Sequence, residues 1–102
     1  MKDTRTGAER IADERRRQIE REGWTPEHDD EHEDGELATA AACYALQDHD
    51  VYVPGNGLHG GRIDWPWSAA WYKRHHDNRV RELEKAGALI AAEIDRLLRA
   101  RG

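Results

Sequence analysis

Ten consecutive residues concentrate the ligand-type side chains of this chain. Residues 27–36 read Glu27-His28-Asp29-Asp30-Glu31-His32-Glu33-Asp34-Gly35-Glu36, seven carboxylates and two histidines. On a helix, His28 and His32 share one face, and Asp29, Glu33 and Glu36 share another. Glu33 and Glu36, three apart, point the same way from one turn and suit Mg²⁺ or Mn²⁺, hard cations that take oxygen ligands and keep waters for a phosphate substrate. His28 and His32 are a weaker transition-metal pair without a third strong ligand. An acidic run at a helix N-terminus is also explained without any metal, because the helix dipole favours Asp and Glu there. Glu82, beside the apolar Leu83 and Ala86, is a further candidate for a partly buried functional acid.

A second constellation lies later in the chain. Trp65, Trp67 and Trp71 stand next to Lys73, Arg74, His75 and His76, so flat rings adjoin cationic donors. Rings stack on a nucleobase and cations hold phosphate, a combination that fits a nucleotide or cyclic nucleotide. The competing explanation is core bulk, since the chain has no Phe. The Gly-rich stretch 55–61 lacks the Lys-Ser/Thr ending of a phosphate-binding P-loop. Ser68 is the only serine and has no marked base beside it, and Cys43 sits among alanines as a small core residue, so covalent catalysis has no candidate.

The elements that must position these residues follow from pattern. The 102 residues bound one domain, and 36% charged against 37% hydrophobic residues leave a lean core. The formal charge of -5 argues against a general nucleic-acid coat. A single cysteine excludes an intrachain disulfide and a multi-cysteine zinc site. No run of about 18 apolar residues and no secretory start is present, so a cytoplasmic protein without a membrane partner is expected. Residues 1–6 are expected to fray. A helix runs from Gly7 to about Glu22, with Ala8, Ile11, Ala12 and Ile19 as its apolar face, and Gly23 ends it with Trp24 folded back as a plug. Thr25 and Pro26 read as a cap and first turn. An Ala-rich helix spans Glu36 to about Gln47, and 48–76 form a Gly-rich loop and Trp-rich segment in which Val51-Tyr52-Val53 is extended. The last helix, about Asp77 to Arg99, carries Val80, Leu83, Ala86, Leu89, Ile90, Ile94 and Leu97 as one core stripe widened by Leu98. Glu93 and Asp95 on it read as exposed ion partners of Arg96 and Arg99. The expected fold is all-α: a thin bundle of three main helices and one long loop, completed by homo-oligomerisation.

Two resemblances sharpen the functional reading. Glu14-Arg15-Arg16-Arg17-Gln18, a Gly-Trp soon after, and His32-Glu33-Asp34-Gly35-Glu36-Leu37 resemble the opening of MazG-like all-α nucleotide pyrophosphohydrolases, and Arg81 to Ala88 resembles the segment that holds that family's second acidic pair. The resemblance implies that Glu33, Glu36 and Glu82, assisted by Asp29 or Asp30, hold Mg²⁺ for hydrolysis of a nucleoside triphosphate. Lys85 departs from the pattern: it stands where the family has Asp, removing a ligand and adding a positive charge. Glu22 to Asp30 and Lys85 to Leu97 also resemble segments of small phage and prophage proteins, which implies a host cytoplasm as the setting.

Three functions are consistent with these residues. The first is a binding module that captures a nucleotide or phosphorylated signal without turning it over, through Trp65, Trp67, Trp71, Lys73, Arg74 and Lys85, and so counters a host defence. The second is the metal-dependent pyrophosphohydrolase. The third is an inhibitor whose acidic stretch 27–36 imitates a nucleic-acid backbone to a basic host protein.

Overall fold

The computed structural model describes residues 3–46, 51–52, 63–75 and 77–101. The fold is all-α, built on α1 (Gly7–Glu22), the single turn α2 (Pro26–Asp29), α3 (Glu36–Ala45) and α4 (Arg79–Arg101). Two two-residue strands, β1 (Val51–Tyr52) and β2 (Ile63–Asp64), pair in parallel with Val51 opposite Ile63. Val53, expected to extend the first, and the Gly-rich stretch 55–61 lie outside the described residues, as does His76.

Local chemistry sets the helix ends. Thr6 and Glu9 form a reciprocal capping box, with Thr6 N donating to Glu9 Oε1 at 2.9 Å and Glu9 N to Thr6 Oγ1 at 3.2 Å. Residues 3–6, expected to fray, are therefore tied to α1, and Asp3 adds ion pairs to Arg5 and Arg10. Gly23 adopts a left-handed φ of 73°, and its N–H donates to the Gln18 carbonyl, as does that of Trp24. Thr25 caps α2 with Pro26 in its first turn. The acidic stretch does not continue as a helix: it turns after Asp29, and Gly35 at φ 79° starts α3.

The core joins α3 to α4. Leu37, Ala40, Ala41, Cys43 and Tyr44 pack against Ala86, Leu89 and Ala92, with Trp65 as the large ring among them. Alanines on both helices allow the backbones to approach closely. Burial pushes the Cys43 thiol up to about 11, so it is a packed residue and not a nucleophile.

Two expectations about faces need correction. The buried residues of α1 are Glu14 and Gln18, while Ala8 and Ala12 are exposed and Ile11 and Ile19 half-buried. The reason is that α1 meets α4 through ion pairs, Arg81–Glu14 at 2.6 Å and Arg10–Glu84 at 3.0 Å, and through Ile11 seated on Gly87. On α4 the expected core stripe divides: Ala86 and Leu89 are buried, whereas Val80, Leu83, Ile90, Ile94, Leu97 and Leu98 remain about half exposed. The α3 contact uses the neighbouring sector of α4, centred on Ala86, Leu89 and Ala92. Near its end Arg96 pairs with Glu93 as expected, but Arg99 reaches Asp30 instead of Asp95.

Candidate functional site

Two adjoining cavities share Glu22, Trp24 and Trp71 as common walls. The first, about 350 Å³, lies between the C-terminal half of α1 and α4, bounded by Arg17, Gln18, Arg21, Tyr44, Lys73 and Lys85. The second, about 410 Å³, is walled by Trp24, His28, His32, Trp67 and Trp71 with Ser68. Each lies within the size range of ordinary small-molecule sites.

The aromatic wall is built by contacts across three segments. Trp24 lies nearly parallel to His28, with centroids 6.0 Å apart and planes 17° apart, and edge-on to Trp67 at 6.0 Å. His32 lies 5.0 Å from His28 and 5.1 Å from Trp67. Arg15 holds this corner in place: it binds the fully buried Asp29 at 2.6 Å and donates to the Trp24 carbonyl at 3.3 Å. His32 is fixed by Glu36 at 3.1 Å. Trp67 Nε1 is buried without a hydrogen-bond partner among the described residues.

The cationic wall sets Arg17, Arg21, Lys73 and Lys85 beside two carboxylates, Glu14 and Glu22. Glu14 accepts from Arg17, from Gln18 and from Arg81, so that carboxylate is fully engaged. Burial opposes its ionisation, but the arginine hydrogen bonds outweigh that and hold Glu14 below the usual range. Arg21, Lys73 and Lys85 have no carboxylate within ion-pair distance among the described residues. Lys85 is almost buried; its Nζ lies 5.4 Å from the Tyr44 ring centroid. Burial, with the neighbouring Arg81 charge, lowers its pKa from the ordinary lysine value. His75 is lowered too, by burial first and then by the charges of Lys85 and Arg81. Gln18 Oε1, also buried, has no donor among the described residues.

The sequence candidates separate on this geometry. Trp67, Trp71, Lys73 and Lys85 line the paired cavities. Trp65 does not: it is a core ring, 4.5 Å from Tyr72, with Nε1 donating to the Ser68 carbonyl at 2.9 Å. Arg74 is also turned elsewhere, onto Glu82 and the Tyr72 hydroxyl. The acids are dispersed. Asp29 is held by Arg15, Asp30 by Arg99 at 2.8 Å, Glu36 by His32, and Glu82 by Arg74, Arg79 and the His75 N–H, while Glu33 is exposed. Among the described residues no three His, Cys, Asp or Glu side chains gather as a metal site. The turn between Asp29 and Gly35 is the physical cause, since it breaks the helix that would have aligned Asp29, Glu33 and Glu36.

Gln18, Arg21, Trp24 and Tyr44 also line the cavities, and pattern reasoning does not assign them. Glu14 and Gln18, four apart on either side of a run of three arginines, carry a signal, because a polar pair on one helical face beside an apolar one invites a buried network.

Comparison with family models, curated proteins and solved structures found no match. The site must therefore be read from its own chemistry. Among the described residues no helix is long and apolar enough to cross a membrane.

Proposed function

We propose that this chain binds a nucleotide, cyclic nucleotide or similarly built phosphorylated signal, with the base against Trp24, Trp67 and Trp71 and the phosphate at Arg21, Lys73 and Lys85. The observation that carries the reading is that the ring-lined and cation-lined cavities share Trp24 and Trp71, so one ligand with a flat end and an anionic end spans both. Stacking supplies about 1–3 kcal/mol per base, and an anion would give Lys85 the direct ion pair that no carboxylate makes with it among the described residues. Capture without turnover is the preferred form, because the acids required for hydrolysis are engaged by arginines or separated by the turn after Asp29. The resemblance to phage proteins supports sequestration in a host cytoplasm as its use.

The test is to incubate purified protein with a panel of nucleoside triphosphates and cyclic nucleotides plus Mg²⁺, recover it, denature it and chromatograph the released ligand. An intact nucleotide retained by wild type and lost in Trp71→Ala and Lys85→Met supports the reading. Retention unchanged in both variants, or no retention at all, rejects it. Pyrophosphate with a monophosphate in solution would transfer the assignment to the hydrolase.

A second reading is favoured by exposure. Glu27, Asp30, Glu31, Glu33 and Asp34 all face solvent and form an acidic surface suited to a basic protein. Its signature is partner binding that weakens steeply with added salt.

A further inference from the structure

The largest feature unused by the groove is the outer face of α4. Ala86, Leu89 and Ala92 face the α3 core, and Arg81, Glu84 and Gly87 meet α1. The third sector carries Val80, Leu83, Ile90, Ile94 and Leu97, each 45–54% exposed. These positions recur at spacings of three, seven, four and three, steps of the 3.5-residue period of a helix-to-helix seam, and Ile11 of α1 covers Gly87 at the place between Leu83 and Ile90. No charged residue interrupts the sector between Leu83 and Leu98, and Ala91 beside it is small. A straight apolar line about 30 Å long matches another helix and does not match a compact ligand.

We infer that this face is the docking surface for α4 of a second copy of the chain, in a two-fold symmetric dimer. Three observations favour a second copy over another partner. Val80 and Ile94 occupy one set of seam positions and Leu83, Ile90 and Leu97 the other, all aliphatic, so either set can face its own copy or the other set without burying a polar group. The seam is self-complementary about a point between Gly87 and Ile90: turned end for end, Val80 faces Leu97 and Leu83 faces Ile94, as an isologous interface requires. Covering the exposed halves of these side chains and of Leu98 on both protomers removes on the order of 1,000 Å² from water, the size at which a specific interface begins. Ile11, seated on Gly87, brings α1 alongside the seam, so the pair forms a four-helix layer. Lys85 and Leu89 lie on another sector of α4, and the groove stays open in the dimer.

Two measurements test this. Light scattering after size exclusion, from about 1 to about 500 µM, is expected to give roughly twice the 11.7 kDa chain mass for wild type and the single-chain mass for the double variant Ile90→Glu, Ile94→Glu. The double variant Leu83→Cys, Ile94→Cys, whose new thiols face each other across an end-for-end pair and face their own copies across a parallel one, is expected to form a disulfide-linked dimer on mild oxidation, while wild type, whose Cys43 is buried, does not. A single-chain mass for wild type throughout that range, a dimer that persists in the double glutamate variant, or a Leu83→Cys, Ile94→Cys chain that fails to cross-link each overturns the inference. The cross-link reads the seam even if the charged variant does not fold.

Discussion

Lys85 Nζ donates to the backbone carbonyl of Lys73 at 3.2 Å, and this bond joins the middle of α4 to the Trp-rich segment. The two lysines meet at the rim of the groove that Trp71 divides. One of them is almost buried and has no carboxylate partner among the described residues. A charge held this way costs stability when the groove is empty and gives affinity when an anion fills it. Binding and stability are therefore opposed at this residue.

Lys85→Met tests that opposition directly. The folded chain holds the Lys85 proton less tightly than the unfolded chain does, so wild type gains stability as pH rises toward the ordinary lysine value. The Met variant lacks this dependence. At pH 7 it is expected to be more stable by about 1 kcal/mol, a rise in Tm of about 4–8 °C. The gain should shrink by pH 9–10, and nucleotide affinity should fall at least about tenfold. Denaturant titrations at the two pH values, with a binding isotherm, measure all three.

Glu82 is expected to behave in the opposite sense. It is buried and accepts from Arg74, Arg79 and the His75 N–H. Burial favours the neutral acid, but the hydrogen bonds, Arg74 first, outweigh it and place its pKa below the usual carboxylate range. A depressed carboxylate stabilises the fold above its unfolded pKa, and that contribution is lost as pH falls through the folded value. Glu14 shares the pattern, so unfolding is expected to set in as pH drops below about 4. Glu82→Gln removes the buried carboxylate charge that Arg74 and Arg79 bind and should cost about 3 kcal/mol at pH 7. Urea titration checks this. A metal ligand replaced by Gln would instead lose turnover with stability intact.

How much of this was legible in the sequence depends on the scale of the interaction. Helix ends were readable because their causes are local: Thr25-Pro26 starts α2, and Gly23 ends α1 with φ 73°. Helix faces were less readable. Hydrophobic periodicity cannot tell a stripe that meets its own domain from one that meets a copy, and α4 carries both kinds, with Leu89 buried and Ile90 half exposed. The α1 face was misjudged because its contact with α4 is ionic, Glu14 to Arg81, where pattern reasoning looks for apolar residues. The Trp segment was identified as a group, but membership was decided by tertiary contacts: Trp65 enters the core while Trp67 and Trp71 line the groove. The acidic stretch does not set Asp29, Glu33 and Glu36 on one helical face for a local reason, the turn between the end of α2 at Asp29 and the left-handed Gly35.

The division of the tryptophans gives a third prediction. Trp71 is 59% exposed, so Trp71→Ala should change stability by less than about 0.5 kcal/mol while weakening nucleotide binding by about tenfold or more. Trp65→Ala should do the reverse in kind, costing about 3–5 kcal/mol by opening a cavity between Tyr44 and Tyr72. Thermal unfolding and ligand titration of both variants separate the two roles. Equal losses of stability would place Trp71 in the core and remove it from the site.

Gly87 offers the sharpest test of how α1 sits on α4. A glycine inside a long helix is replaced by alanine with a gain of about 1 kcal/mol when nothing lies above it. Here a Cβ would meet the Ile11 side chain at Cγ1, 2.6 Å away, and at Cγ2, 3.2 Å away. A rotation about the end of that side chain does not clear both atoms, because the second branch stands on the same carbon, so α1 itself must shift. Gly87→Ala is therefore expected to destabilise wild type by about 1–2 kcal/mol. In an Ile11→Ala background the obstruction is gone, and the same change should stabilise by about 1 kcal/mol. The double-mutant cycle from urea titrations should show a coupling of about 2–3 kcal/mol. A Gly87→Ala chain more stable than wild type would mean that Ile11 does not rest on α4 at this turn.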